Sequence, residues 1–88
     1  MSDDSWKHIQ AADPEITCEH ITSTLADPLE VRKSNTQPEM VELYYRLKID
    51  PEKVRYVSVV VKKTNEGFFV STAMTTTRIK DGELIFRK

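Results

Sequence analysis

The spacing of apolar residues changes at Pro28, and this change restricts which folds the chain can adopt. Before Pro28, Ile21 and Leu25 repeat at helical spacing. After it, apolar and polar residues alternate, which is typical of half-buried strands. We therefore predict an α+β fold in which two N-terminal helices, within about residues 5–26, pack on a four- to five-stranded antiparallel sheet within about residues 29–87.

Proline also separates the two predicted helices. Asp13-Pro14 interrupts the first, because proline disfavours helical geometry in the residue before it. Thr17 is a suitable N-cap for the second helix. Cys18 shares the apolar face of that helix, so we expect a small core residue rather than a nucleophile.

The alternation is clearest from residue 41 to residue 49. The apolar positions there are Val41, Leu43, Tyr45, Leu47 and Ile49. If the helices cover this apolar face, Arg46 and its polar neighbours must point to the opposite, open face, because strand side chains alternate.

The later strands form hairpins in the predicted sheet. Val57, Val59 and Val61 share one face of a third strand. Asn65-Glu66-Gly67 is a short connection in which glycine supplies a positive φ, and a last strand follows Asp81-Gly82. We expect these strands to form a meander, in which each pairs with the next.

Composition limits the chain to one small domain, residues 1–88. It is 39% hydrophobic and 31% charged, too apolar for disorder and too polar for a membrane protein. The acidic start, Met1-Ser2-Asp3-Asp4, is unlike a signal peptide, so a cytoplasmic location is expected. Two glycines exclude a Walker loop and a dinucleotide fingerprint.

The charges are distributed unevenly along the chain. Residues 1–43 hold three cations against nine acids, whereas residues 44–88 hold ten cations against five acids. Such asymmetry allows a cationic face that binds a polyanion. The alternative is that solvent-facing strand positions are simply rich in Lys and Arg.

Metal or cofactor chemistry is not indicated. Cys18, His20 and His8 give at most three ligands with no recognisable zinc spacing. We therefore predict neither a metal nor a cofactor.

A resemblance to a known family runs from about residue 6 to residue 86 and rests on seven short phrases. They are Trp6-Lys7-His8-Ile9, Asp13-Pro14-Glu15-Ile16-Thr17, Thr24-Leu25-Ala26-Asp27-Pro28, Val31-Arg32-Lys33-Ser34, Leu43-Tyr44-Tyr45-Arg46, Val59-Val60-Val61-Lys62 and Phe68-Phe69-Val70-Ser71-Thr72-Ala73. In this order the chain resembles the phage-associated barnase–EndoU–colicin–RelE-like nucleases. The resemblance implies metal-independent cleavage of RNA by a toxin or mobile-element domain, and an antitoxin or immunity protein as a candidate partner.

The resemblance also implies a set of site residues. His8, Arg46, Lys62 and Thr72 match the family's catalytic positions, with His8 as acid or base and the two cations near the phosphate. A second set follows from side-chain chemistry and not from the resemblance: cations and hydroxyls bind phosphate oxygens and an aromatic ring stacks on a base, so the candidate RNA-binding residues are Tyr44, Lys48, Lys63, Ser71 and Thr75. The alternative is that they form the solvated face of a half-buried antiparallel sheet. We expect Arg46, Lys62 and Thr72 to line one solvent-accessible concavity, which His8 reaches from the edge of the first helix.

Two departures from the family favour an alternative function. Many relatives carry histidine before the Pro-Glu pair, where this chain has Asp13, and tyrosine after the Thr-Ala pair, where it has Met74. The alternative is a catalytically silent module of the same fold that binds RNA or a protein partner.

Overall fold

The structure, a computed structural model that describes residues 3–49, 54–80 and 82–88, has an α+β architecture. Its elements are α1 (Asp3–Ala12), α2 (Cys18–Ala26), β1 (Glu30–Lys33), β2 (Val41–Ile49), β3 (Val54–Thr64), β4 (Gly67–Thr76) and β5 (Leu84–Arg87). The strands form one antiparallel sheet in the order β4-β3-β2-β1-β5. Two helices and a five-stranded antiparallel sheet are thus confirmed. The expected meander stops at β4, because β5 pairs with β1.

Local signals in the sequence fix the start of α2 and the β3–β4 turn. The Thr17 hydroxyl accepts the backbone N–H of His20 at 3.2 Å, and His20 Nδ1 accepts the backbone N–H of Thr17 at 3.1 Å. This reciprocal capping box satisfies two donors that a helix start leaves free. Gly67 has a φ of 126°, which confirms the predicted turn glycine. Cys18 is exposed, so its prediction as a core residue is wrong: the buried residues of α2, Ile21 and Thr24, begin one turn later.

The helices cover one face of the sheet, here called the helix face. Ile9, Ile16 and Ile21 pack with Val57 and Val59 of β3 in the main core cluster. The β2–β3 register places Tyr44 opposite Val59 and Arg46 opposite Val57. The polar row of β2 therefore lies on the helix face, so the condition from which the open position of Arg46 was predicted, helices covering Val41, Leu43, Tyr45 and Leu47, does not hold. The valines of β3 and the β2–β3 register decide which face is covered.

The opposite face is crossed by the connection from Thr76 to Leu84, and we call it the loop face. The backbone N–H of Lys80 donates to the Tyr45 hydroxyl at 3.2 Å, and Arg32 Nη1 donates to the carbonyl of Gly82 at 3.0 Å. Tyr45 is only 1% exposed and Leu43 only 8%. The apolar row of β2 is thus buried in part by a connection between strands.

Candidate nucleic-acid interface

The structure separates the four predicted catalytic residues. His8 is exposed on α1, and Arg46 lies on the helix face. Lys62 lies opposite Val41 and Thr72 opposite Val60, which puts both on the loop face. The prediction that Arg46, Lys62 and Thr72 line one concavity is therefore wrong. Only Lys62 and Thr72 share a face, because the β2–β3 register brings Arg46 to the helix side.

Arg46 already has partners within the protein. Its Nη1 donates to the backbone carbonyl of Asp27 at 2.7 Å and to Oδ2 of the same residue at 3.1 Å. Lys88 Nζ donates to that carboxylate at 3.0 Å. Hydrogen bonds from Lys88 and then Arg46 hold the pKa of Asp27 below its ordinary value. Arg46 thus ties β2 to the end of α2.

The other predicted RNA contacts on the helix face are also engaged. Tyr44 is half-buried against the core, and burial, followed by the charge of Glu42, raises its pKa. Lys48 pairs with Glu15 at 3.3 Å. Lys63 lies 3.5 Å from Glu42. These side chains contribute to the packing and charge balance of the helix face.

The remaining two predicted contacts lie on β4. Thr75 donates its N–H and its hydroxyl to the carboxylate of Asp13. Ser71 falls at the register shift between the Val60–Thr72 and Val61–Val70 pairs, and is half-buried. Neither is placed with Thr72 in the concavity described below.

The uneven charges of the two halves of the chain largely meet in ion pairs. Asp27 contacts Arg46 and Lys88, while Glu15 contacts Lys48 and Arg55. Glu30 and Glu42 likewise contact Arg87 and Lys63. The acids of residues 1–43 thus neutralise many cations of residues 44–88, so the sequence asymmetry does not by itself produce a cationic face.

Three cations of the second half have no carboxylate partner among the described residues: Lys62, Arg78 and Lys80. The register puts Lys62 on the loop face. Arg78 and Lys80 belong to the connection that crosses this face, where both line a small cavity together with Tyr45 and Leu43. Among the described residues of the second half of the chain, the positive charge without a carboxylate partner is therefore concentrated on the loop face.

A concavity of about 560 Å³ lies on the same face. Its walls are the β1–β2 connection on one side and the Thr76–Leu84 connection on the other, and we call it the loop-walled concavity. The residues that line it are Ser34, Asn35, Thr36, Val41, Leu43, Val60, Thr72, Met74 and Lys80. Lys62 flanks it through its pairing with Val41.

Specific contacts hold the two walls in place. Glu30 accepts hydrogen bonds from Arg32 Nε and Arg87 Nε, both at 2.9 Å, and Arg32 also binds the carbonyl of Gly82. Burial of Glu30 opposes its ionisation, but the hydrogen bonds from the two arginines outweigh that effect and lower its pKa. Gly82 lies against the backbone carbonyl of Lys33, which brings the connections together.

Sequence reasoning missed Lys80, Asn35 and Ser34. The polar stretch 34–38 reads as an ordinary turn, and Lys80 reads as a surface lysine. A signal for Lys80 was present: a strand as apolar as β2 needs cover on the face away from the helices, and the long polar segment after Thr76 is available to supply it.

Comparison with known proteins finds no matching family model, no matching curated protein and no matching solved structure.

The described residues offer neither a metal site nor a membrane-spanning helix. Among them, no group of three His, Cys, Asp or Glu side chains is arranged to hold a metal ion. None of the described helices has the length and apolar character that a membrane crossing requires.

Proposed function

We propose that this chain is an RNA-binding module that uses the loop-walled concavity and its flanking cations and does not cleave the RNA it binds. The observation that carries the proposal is the concentration of Lys62, Arg78 and Lys80, without carboxylate partners in the described part of the chain, around that concavity. Lysine, arginine and hydroxyl groups are the usual partners of phosphate oxygens.

The resemblance to nucleases of RNA supports RNA as the polyanion, and the two departures support binding without cleavage. Asp13 replaces a histidine of many relatives, and its carboxylate is used to hold Thr75. Met74 replaces a tyrosine and lines the concavity. Cleavage of RNA needs a base and an acid beside the phosphate, and His8 and Arg46 lie away from Lys62 and Thr72.

Fluorescence anisotropy with a labelled single-stranded RNA in EDTA tests the proposal. We expect Lys62→Glu and Lys80→Glu each to weaken binding roughly fivefold or more at about 0.1 M salt, because each reversal removes a phosphate contact and adds repulsion. Lys7→Glu is the matched control, since Lys7 is an exposed lysine on α1. We expect it to leave the affinity unchanged.

The salt dependence gives a second measure of the same contacts. Replacing one phosphate-binding lysine with alanine should reduce the slope of log K against log salt by about 0.7 for a single strand. Equal slopes for the wild type and Lys80→Ala, or equal weakening by Lys7→Glu and Lys80→Glu, would contradict the assigned face.

The same samples decide between binding and cleavage. A denaturing gel of the RNA after incubation should show intact strands. Fragments that form in EDTA with the wild type, and disappear with Lys62→Glu, would replace the binding proposal with metal-independent cleavage on the loop face.

A further inference from the structure

We infer that the loop-walled concavity takes the base of one unpaired nucleotide, while Lys62 and Lys80 bind the neighbouring phosphates. This inference rests on the proposed function and names the part of the RNA that enters the site. It depends on how the polar and apolar groups of the concavity are arranged.

The concavity combines an apolar floor with a polar rim. Val41, Leu43, Val60 and Met74 come from three adjacent strands, β2, β3 and β4, and form the floor. Hydroxyl and amide groups from the β1–β2 connection, together with Thr72 and Lys80, form the rim. Phosphate alone would gain nothing from the floor, because a charged group loses hydration against apolar side chains. A flat aromatic base gains by contact with them.

The size of the concavity also suits a nucleotide. Its volume of about 560 Å³ lies within the range of roughly 300–1,000 Å³ that small-molecule sites occupy. Asn35 on the rim offers both a donor and an acceptor to the edge of a base. Met74, 37% exposed, presents a flexible and polarizable side chain to whatever covers the floor.

Only an unpaired base can reach this floor. A base inside a duplex is stacked on both faces, so it must leave the helix to enter a pocket. Single strands and loops already expose their bases, which is why sequence-specific RNA recognition mostly targets them. We therefore expect the protein to prefer single-stranded RNA to a duplex of the same length.

NMR titration with small probes tests the inference directly. The probes are adenosine 5′-monophosphate and uridine 5′-monophosphate, and the control ligand is ribose 5-phosphate, which has the same phosphate and no base. A base on the floor should move the Met74 methyl signal upfield through its ring current, in a saturable way. Ribose 5-phosphate should leave this signal in place. Met40 is the internal control, because it is an exposed methionine that does not line the concavity.

A second measurement uses the RNA and leaves the protein unchanged. In anisotropy experiments, a series of oligonucleotides each carries one abasic position. At the position whose base enters the concavity, loss of the base should weaken binding by about tenfold. At the other positions the effect should be small.

The outcomes separate the inference from the proposed function. If RNA binds but the abasic series is uniform and the Met74 signal responds alike to a nucleotide and to ribose 5-phosphate, the inference is wrong and the proposed function stands. If the wild type binds no RNA, both are wrong. A nucleotide-specific Met74 shift together with one sensitive position supports both.

Discussion

Asp13 and Thr75, 62 residues apart in the sequence, are joined by two hydrogen bonds to one oxygen. Oδ2 of Asp13 accepts the backbone N–H and the hydroxyl of Thr75, both at 2.8 Å, while Oδ1 accepts the N–H of Glu15 at 3.2 Å. Burial of Asp13 opposes its ionisation, but these bonds, with the charge of Lys48, outweigh that effect and lower its pKa. The residue after α1 is thereby held against β4.

Asp13→Asn should destabilise the protein by about 2 kcal/mol at pH 7, because hydrogen bonds to a charged acceptor are lost. A carboxyl whose pKa is lower in the folded state stabilises the fold above its unfolded pKa, near 3.8, and loses this contribution as the pH falls through the folded value. The gap between wild type and variant should therefore shrink below about pH 4. Urea unfolding at pH 7 and pH 3 measures this difference in the free energy of unfolding, and Asp4→Asn, at an exposed position, is the control. A gap that is independent of pH would contradict the role of the charge.

Glu30→Gln should lower the free energy of unfolding by about 2 kcal/mol. The Glu30 side chain is only 10% exposed, and its carboxylate accepts hydrogen bonds from two arginines. The matched control is Glu83→Gln: the Glu83 side chain is 71% exposed, and its carboxylate lies 3.6 Å from Lys33 Nζ. Exposed pairs of this kind contribute about 0–1 kcal/mol. Urea denaturation of both variants compares them. Equal losses would show that burial of the Glu30 pair has no special effect.

Tyr45→Phe should release the Thr76–Leu84 connection without opening the core. The ring remains, but the hydroxyl that accepts the Lys80 N–H is lost, which should lower the free energy of unfolding by about 1 kcal/mol. Amide hydrogen exchange should show lower protection of Lys80 in the variant. The control is Tyr56→Phe, since the Tyr56 hydroxyl has no hydrogen bond to the described residues. Unchanged Lys80 protection in Tyr45→Phe would argue against the contact.

Gly82→Ala should destabilise the protein by about 1–3 kcal/mol, because its Cβ would overlap the backbone carbonyl of Lys33. The overlap also separates the walls of the concavity, so RNA affinity should fall with stability. Thr77→Ala, at an exposed position in the same connection, should change stability by less than about 0.5 kcal/mol. Thermal unfolding and anisotropy on the same samples compare the two, and wild-type stability of Gly82→Ala would contradict the close approach.

The sequence predicts the elements well because each has a local signal. Thr17 caps α2 through its own side chain, and Gly67 supplies the positive φ of the β3–β4 turn. The side of the sheet that each residue faces is not a local property. The sequence of β2 alone predicts that Leu43 and Tyr45 are buried, and they are. It does not predict that they are covered by the connection across the loop face and not by the helices.

The candidate site was predicted only in part for the same reason. Lys62 and Thr72 share a face because β3 and β4 form a hairpin, whose pairing is close in sequence. Arg46 belongs to β2, and a shift of one residue in the β2–β3 register would move it to the other face. The long side chain of Arg46 can cover apolar surface while its guanidinium reaches Asp27. The polar row of β2 can therefore lie under the helices although it contains a charged residue.

The position of β5 beside β1 has a consequence for how the site can open. The chain from Thr76 to Leu84 must pass four strand spacings, about 19 Å, and its eight Cα–Cα steps reach at most about 29 Å when extended. The connection therefore has limited spare length, and it is anchored by β4 at one edge of the sheet and by β5 at the other. A protease cut within it would leave β5 attached to β1 by noncovalent contacts alone and would release one wall of the concavity. Opening of the site and loss of the outermost strand are thus coupled, and deleting two residues from this connection should abolish both the concavity and the pairing of β5 with β1.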